Sequence, residues 1–528
     1  MTTPPLTQRD AQVLIAGAGP TGLVLALLLA RQGVRVRIVD PVAQPGTTSR
    51  ALAVQARTLE FYQQLGIADL VVERGRQFNA VNLWVAGRKA AHVAFGAIGE
   101  GMSPFPYLTI FPQDEHERLL IEQLAALGVE VERGTAVASF IHAGVRVRVQ
   151  LARQDGSAES CDVMFLAGCD GAHSKVRETI GATFLGGTYA HIFYVADVDA
   201  TGEVTDGDLH VELDDTDFLV VFPMKGAGRV RLVGAVRADA ATQQSPLTWA
   251  DVGQGVVTRM GLTVGKVHWF STYRVHHRVA NHFQRGQVFL LGDAAHVHSP
   301  VGGQGMNTGI GDAVNLAWKL TAFIQGQADM RLLATYEPER IAFARQLVQT
   351  TDRAFEFVTD NGRLARWLRL KVAPRLLPPL VSFRAFRRFM FRTVSQIGIR
   401  YRSSWLSAGH AGHVHGGDRL PWVPLGDDAT AAPGHPGPGN FAPLASRAWQ
   451  IHVYGDASPE LARVCAARGL ALHAFSWQPA MRAAGLARGA SYLVRPDGYV
   501  ALADGAASPD TLERFLDGRN LLRPPAPE

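Results

Sequence analysis

Three clusters of glycine and aspartate, far apart in the chain, have residue types suited to holding one long anionic ligand. The first is Gly17-Ala18-Gly19-Pro20-Thr21-Gly22, with Asp40 downstream; the second is Gly168-Cys169-Asp170-Gly171; the third is Gly292-Asp293, then Pro300, Gly302, Gly303 and Gly305. In the first, one glycine makes a turn, one admits backbone amides close to a pyrophosphate, and one lets helix and strand pack tightly. The pyrophosphate then rests on a helix N-terminus, where unpaired N–H groups and the dipole favour negative charge. Asp40 follows Gly17 at close to the spacing of about 20 residues expected of an acid that grips a ribose.

These residues need particular elements beneath them. The apolar run Val13 to Ala16, the glycine turn, a helical stretch and an alternating segment Val34 to Val39 read as strand, turn, helix, strand. That is one half of a Rossmann-type unit, and it serves NAD and FAD alike because both carry the same ADP moiety. A simple NAD enzyme has no use for two further glycine-and-acid clusters. Three segments converging on one extended ligand point to FAD.

The chain has 528 residues, 47% hydrophobic and 19% charged, the composition of a soluble globular protein of two or three compact units. Its formal charge of +5 is spread among interleaved acids, so no nucleic-acid footprint is expected. Cys161, Cys169 and Cys465 form neither a disulfide framework nor a metal motif, and no metal is expected. The apolar stretch Val13 to Ala30 is broken by Gly17, Gly19, Pro20 and Gly22, which suits neither a signal peptide nor a membrane span. A cytoplasmic setting is the expectation.

"GCDGAHSKVR" (Gly168 to Arg177) and "GDAAHVHSPVGGQGMNTGIGDAVNLAWKL" (Gly292 to Leu320) resemble the second and third signatures of the single-component, group A flavoprotein aromatic hydroxylases, the family of para-hydroxybenzoate and phenol hydroxylases. All three motifs occur in order, and the resemblance covers roughly residues 10 to 400. It implies an α/β fold, with a Rossmann-type FAD-binding domain (1–190 and 278–400) interleaved with an antiparallel-sheet substrate domain (191–277, joined by part of 67–112). It also implies that Asp293, at the end of a strand Val288 to Leu291, accepts hydrogen bonds from the ribityl chain. Gly302, Gly303 and Gly305 let backbone lie against a flat ring. A helix starting near Met306 or Asn307 turns its positive end toward the flavin pyrimidine edge. Further implied contacts are the loop Arg50 with FAD phosphates, Gln113 with the flavin side, and Asp170, supported by Arg177, in coupling flavin to nicotinamide. Pro300 and Gly302 flank the flavin face; no general base is assigned.

Ser174 reads as a helix cap for Lys175 to Ile180 and His296 and His298 as structural hydrogen-bonders. Segments between His191 and His276 alternate like half-buried strands, and Phe222, Pro223 and Met224 at the end of one are candidate substrate lining or plain sheet core. If the family chemistry holds, NADPH or NADH reduces FAD, and a C4a-hydroperoxyflavin formed with dioxygen hydroxylates a phenolic or polycyclic aromatic. The same seat also serves epoxidation, oxidative inactivation of an antibiotic-like molecule, or a flavin-binding sensor without turnover.

In "RLLPPLVSFRAFRRFMFRTVSQIG" the periodicity puts Phe383, Phe386, Met390 and Val394 on one face of a helix expected to pack on its own protein or in a homodimer. Beyond a Gly/Pro/Ala-rich linker at 426–440, residues 410–528 pattern as a compact α/β unit resembling the thioredoxin-like tail of the phenol hydroxylase branch. It has no CxxC, so packing rather than thiol chemistry is expected of it.

Overall fold

The computed structural model describes residues 11–46, 51–78, 80–94, 99–213, 218–235, 247–252, 254–299, 302–359, positions 362, 367, 372, 375 and 379–380, then 383–426 and 437–522. Two residues expected at the site, Arg50 and Pro300, lie outside the described residues.

The apolar tetrapeptide Val13–Ala16 (β1) is buried along its whole length. Apolar runs of this kind suit a parallel sheet covered on both faces. Helix Pro20–Arg31 (α1), started by a proline in its first turn, leads to Val36–Asp40 (β2). Val131–Arg133 (β3), Phe165–Gly168 (β4), Gln284–Arg285 (β5) and Val288–Leu290 (β6) complete a sheet of order β5-β6-β4-β1-β2-β3, parallel except at β5. β4 and β6, which lead into the second and third glycine clusters, therefore stand on one side of β1. All three clusters emerge at the C-terminal ends of neighbouring strands, where parallel sheets bind ligands.

Two long helices back this sheet. Gly305–Ile324 (α2) packs against α1, and Tyr336–Thr359 (α3) follows it. The expected helix start near Met306 lies one residue earlier, at Gly305.

The second sheet has eight strands, ordered His296–Val297, Thr263–Ala280, Phe184–Thr201, Arg229–Ala235, Phe218–Pro223, Leu209–Leu213, Ala80–Val85, Arg88–Ala94. Two of the segments that read as short strands lengthen to 18 residues each, paired antiparallel from Phe184↔Ala280 to Thr201↔Thr263 through three register shifts. One pair is parallel rather than antiparallel: Leu209–Leu213 with Ala80–Val85. Arg278↔Val297 and Val279↔His296 fasten this sheet to the chain just after Asp293.

Helix Arg384–Val394 (α4) buries a different face from the one its periodicity suggests. Only Phe391 is buried, its ring so close to Gly99 that a Cβ there would stand 2.5 Å away, whereas Phe383 is exposed and Phe386, Met390 and Val394 are half-buried. One deep aromatic anchor, rather than a stripe, fixes this short helix.

The C-terminal unit is a mixed six-stranded sheet, ordered Val414–His415, Ala408–Ala411, Val500–Asp504, Ser491–Val494, Gln450–Tyr454, Ala471–Phe475. Buried charge holds it to the rest. Glu339 on α3 accepts from Lys319 Nζ (2.9 Å) and from Arg495 Nη1 and Nη2 (2.8 and 3.0 Å), while Asp497 accepts from Arg495 Nη2 (2.6 Å) and Trp318 Nε1 (3.2 Å). Burial alone would raise the Glu339 pKa, but Arg495 and Lys319 hold it below the ordinary carboxylate range. A second knot joins Glu60 to Arg57 and Arg419, and Arg57 also donates to the Asp497 carbonyl.

Candidate active site

The three glycine clusters touch one another. Gly17 has φ +103°, and a Cβ built on it would stand 2.2 Å from the Cys169 carbonyl oxygen; one on Gly22 would stand 2.0 Å from the Gly17 oxygen and 3.3 Å from the Cys169 Cβ. Cys169 N also donates to Ala16 O (2.7 Å). The first and second clusters are thus in contact at positions where no other side chain fits. Thr21 makes the junction with the third. A Cβ on Gly292 would come within 2.7 Å of Thr21 Oγ1, and one on Gly309, a turn into α2, within 2.2 Å. Gly19 is different, since a Cβ there would meet nothing within 4 Å. The Gly19 side of the turn is open.

Asp40, at the end of β2, accepts from Ala18 N (2.8 Å) and Val42 N (2.9 Å), which orients its carboxylate beside the first turn. Asp170 follows β4, on the other side of β1. Its Oδ1 accepts from Ser174 Oγ (2.5 Å) and Oδ2 from Val176 N (3.0 Å), while burial raises its pKa against those bonds. Ser174 in turn caps Lys175–Thr179 by accepting from Arg177 N. Arg177 reaches across to the third cluster: Nη1 donates to Ala294 O (3.0 Å) and Nη2 to Ala172 O (2.8 Å), with its guanidinium 4.0 Å over the Phe184 ring.

Asn307 has a role its sequence context does not disclose. Its Oδ1 accepts from Gln55 N (3.0 Å) and Thr58 Oγ1 (2.7 Å), and its Nδ2 donates to Ala53 O (2.8 Å) and Gly303 O (2.9 Å). Gln55 Nε2 donates to Gly302 O (3.0 Å). All the side chain's bonding capacity is therefore spent pinning the glycine loop to residues 53–58. Only its backbone N–H remains for a ligand. The N–H groups of Gly305, Met306 and Asn307 open α2 without an intrahelical partner, as the first turn of any helix must. Among the described residues they make no other hydrogen bond. Gly302 and Gly303 have φ of +79° and +60°, so the loop before them needs glycine.

Behind this loop His296 Nε2 lies 2.7 Å from Asp312 Oδ2, which also accepts from Gly292 N (3.0 Å), and Arg340 Nε donates to Asp312 Oδ1 (2.5 Å). Though burial opposes it, Arg340 and His296 keep Asp312 below its ordinary range. His298 donates from Nδ1 to Ser299 O (2.8 Å), leaving Nε2 as an acceptor that is shielded from solvent and unpartnered among the described residues. Burial lowers its pKa to about 4.

Asp293 is exposed where the first and third clusters meet. Gln113 opens the helix Gln113–Ala125, its N–H on Ala51 O (3.1 Å) and its side chain on Glu117 (2.8 Å). Arg57 turns away, into the C-terminal interface. Phe222 packs with Leu52, Phe78 and Ile110 of the first part of the chain, whereas its neighbour Pro223 points through the sheet to the other face. Met224 lies just past the strand, half-buried.

Residues 10–351 match the FAD binding domain family. The chain belongs to that family. It is 34% identical to 6-methylpretetramide 4-monooxygenase of Streptomyces rimosus over 97% of this chain and 94% of that protein, and 32% identical to pentachlorophenol 4-monooxygenase of Sphingobium chlorophenolicum over 67% and 66%. The structure of anhydrotetracycline hydroxylase from Streptomyces rimosus superposes with a TM-score of 0.74 at 28% identity, covering 98% of this chain and all of that one. Aklavinone-11 hydroxylase in complex with FAD and aklavinone gives 0.76 at 25% identity, covering 99% and 100%. The chain is a flavoprotein aromatic monooxygenase with FAD as its cofactor, and NAD(P)H is the electron donor typical of its family.

The site's geometry suits FAD on its own terms. An open Gly19 beside a helix N-terminus, a carboxylate steered by Ala18, and three N–H groups at α2 unpaired among the described residues are what an adenine dinucleotide with a reducible ring requires. Among the described residues no helix is long and apolar enough to cross a membrane.

Proposed function

We propose that this monooxygenase hydroxylates a polycyclic aromatic rather than a single phenol ring. The observation that carries this reading is the face of the eight-stranded sheet that Phe222 shares with the FAD-binding part. Trp269, Ser271 and Tyr273 alternate along one strand; across the buried Phe193, Val195 and Asp197 of the next strand, the same face continues through Val233 to Val220 and Phe222, these six half-buried, while the opposite face is sealed by Val252, Val256 and Val257. Four residues of strand extend about 13 Å at about 3.3 Å per residue, a roof longer than one ring. The named activities of the relatives, on pretetramide and tetracycline-type compounds, support the same size class.

In this reading Gly17, Gly19, Pro20, Thr21 and Gly22 form the pyrophosphate turn, Asp40 takes the ribose, and Asp293 the ribityl chain. Gly302, Gly303, Gly305 and the N–H groups of Met306 and Asn307 seat the ring; Gln113 stands beside it. Bound FAD supplies hydride acceptance from NAD(P)H and activation of dioxygen. The chain's own work is placement. The α2 N-terminus stabilises negative charge at the pyrimidine edge, Asn307 and Gln55 hold the glycine loop in shape, and the sheet orients the substrate and keeps water away. His298 Nε2, fixed as an acceptor, stays neutral. The C-terminal unit is proposed as a thioredoxin-like packing module without thiol chemistry, and the protein as a cytoplasmic enzyme.

The test is a panel of fused-ring and single-ring phenols, scored for accelerated NADPH oxidation and for gain of one oxygen by mass. Tetracyclic compounds are expected to give coupled product. Faster coupled turnover with single-ring phenols overturns the reading.

A further inference from the structure

A cavity of about 720 Å³ lies between α3, α4 and residues 396–405. One end is formed by Gln304, which caps α2 beside the ring-seating glycines; the other reaches Arg331 and Trp405. Gln396, buried with φ +60°, ties its floor to α2 by donating to Thr308 Oγ1 (2.8 Å) and Gln304 O (3.3 Å). The lining carries spare positive charge. Arg392 is exposed and has no acidic partner among the described residues, and the charges that act on it, Arg388, Arg400 and Arg419, are all positive. Arg400 stands 3.7 Å from Asp418, a carboxylate that Arg402 already holds at 2.7 Å. Among the described residues Glu339 is the one acid in the lining, and its oxygens are committed to Lys319 and Arg495. Flat faces are at hand in Phe389 and Trp405, the latter with Arg331 5.5 Å over its ring.

A guanidinium with no acidic partner among the described residues, Arg392, and a second that only shares a carboxylate, Arg400, beside aromatic faces suit a ligand carrying both phosphate and a planar base. The chain's single Gly-x-Gly-x-x-Gly turn is taken by FAD, so the electron donor has to dock elsewhere. We propose that this cavity receives the phosphate-bearing adenosine half of the reduced pyridine dinucleotide, with Arg392 and Arg400 on phosphate and Trp405 or Phe389 on the adenine. The proposal rests on NAD(P)H being the donor.

The test uses FAD-loaded enzyme carrying Arg392→Gln or Arg400→Gln. KM for NADPH is expected to rise at least tenfold while KM for the aromatic substrate and the flavin absorbance hold, Arg392→Lys recovering part of the loss. Binding of 2′,5′-ADP to the wild-type holoenzyme, followed by calorimetry, is expected to weaken by a similar factor in the Gln variants. A KM for NADPH within twofold of wild type, unaltered 2′,5′-ADP binding, or a rise confined to the aromatic substrate overturns the assignment. A single turnover started from dithionite-reduced enzyme and dioxygen separates the two readings, because it needs no dinucleotide: hydroxylated product there, with NADPH binding unmoved in the variants, defeats the cavity proposal and leaves the monooxygenase reading standing.

Discussion

Gly309→Ala is expected to damage flavin retention only while Thr21 keeps its hydroxyl. The new Cβ would stand 2.2 Å from Thr21 Oγ1, an overlap that α1 and α2 relieve only by separating. Overpacking of this size costs about 1–3 kcal/mol, and replacing a helix-interior glycine returns about 0.5–1 kcal/mol, leaving a net loss of up to about 2.5 kcal/mol. In a Thr21→Ala background the remaining Thr21 contact is a Cβ at 3.5 Å, ordinary van der Waals separation, and Gly292 Cα at 3.1 Å has to give only slightly. The substitution should then be neutral or stabilising, so the double-mutant coupling is about 1–3 kcal/mol. Flavin release in urea, read by fluorescence across wild type, both single variants and the double, measures it. The readout follows the FAD-binding part directly and so does not require the whole chain to unfold in one step. Equal damage from Gly309→Ala in both backgrounds would refute the claim that the first and third glycine clusters meet at Thr21.

Three further outcomes follow from the same contacts. Asn307→Ala orphans two donors and two acceptors around the glycine loop, each costing about 1 kcal/mol or more, and should raise the FAD Kd at least tenfold in a titration of apoenzyme; Asn307→Asp, whose second oxygen would face the Ala53 and Gly303 carbonyls with no proton to donate, should lose at least as much. Burial lowers His116 to about 3, His298 to about 4 and His452 to about 3. The unfolded chain therefore binds protons that the folded one refuses, and stability should fall as pH drops below about 6.5, by up to about 4 kcal/mol per unit for three such groups; urea curves at pH 7, 6 and 5 check this, and His452→Gln should remove about a third of the slope. Glu339→Gln leaves the buried Lys319 without its countercharge and Arg495 with Asp497 alone, and should cost about 3–5 kcal/mol, seen as early proteolysis between the FAD-binding part and the C-terminal unit.

How much of this was legible in the sequence depends on the range of the interaction that decides each feature. The strand-turn-helix around Gly17 and the spacing to Asp40 are local, so residue order discloses them, and the family signatures at Gly168 and Gly292 extend the reading to FAD. Thr21 reads as one more residue of a nucleotide turn, yet what it touches is Gly309, and no periodicity links the two. Asn307 shows the same limit from the other side: its place after the glycines marks it as a ligand contact, but its four side-chain bonds go to residues 53, 55, 58 and 303. Charges behave likewise. Glu339 and Arg495 look like surface residues of separate helical and strand patterns until folding buries them against each other. The periodicity of α4 marks a stripe of several apolar residues, whereas one aromatic filling the space over Gly99 decides which way the helix faces.

Those hidden contacts share a purpose that bears on catalysis. Gln55, Asn307 and Gly303 form one hydrogen-bonded loop, Asp312 joins Gly292 to His296 and Arg340, and Arg340 Nη2 donates to Thr308 O (3.0 Å), just inside the first turn of α2. Buried ion pairs add little net stability when weighed against apolar replacements, so their number behind this one helix terminus argues for positional rigidity rather than stability. An N-terminus that is to stabilise charge on a ring has to stay in place as that charge appears, because donors held in advance need no reorganisation at the moment of reaction. Arg340→Lys, which keeps the countercharge to Asp312 but loses the guanidinium fork that reaches Thr308 O, should therefore leave the fold standing and lower the rate of flavin reduction more than it lowers FAD affinity. Stopped-flow reduction beside an FAD titration distinguishes the two, and an affinity loss that accounts for the whole rate loss would show that the network only holds the cofactor.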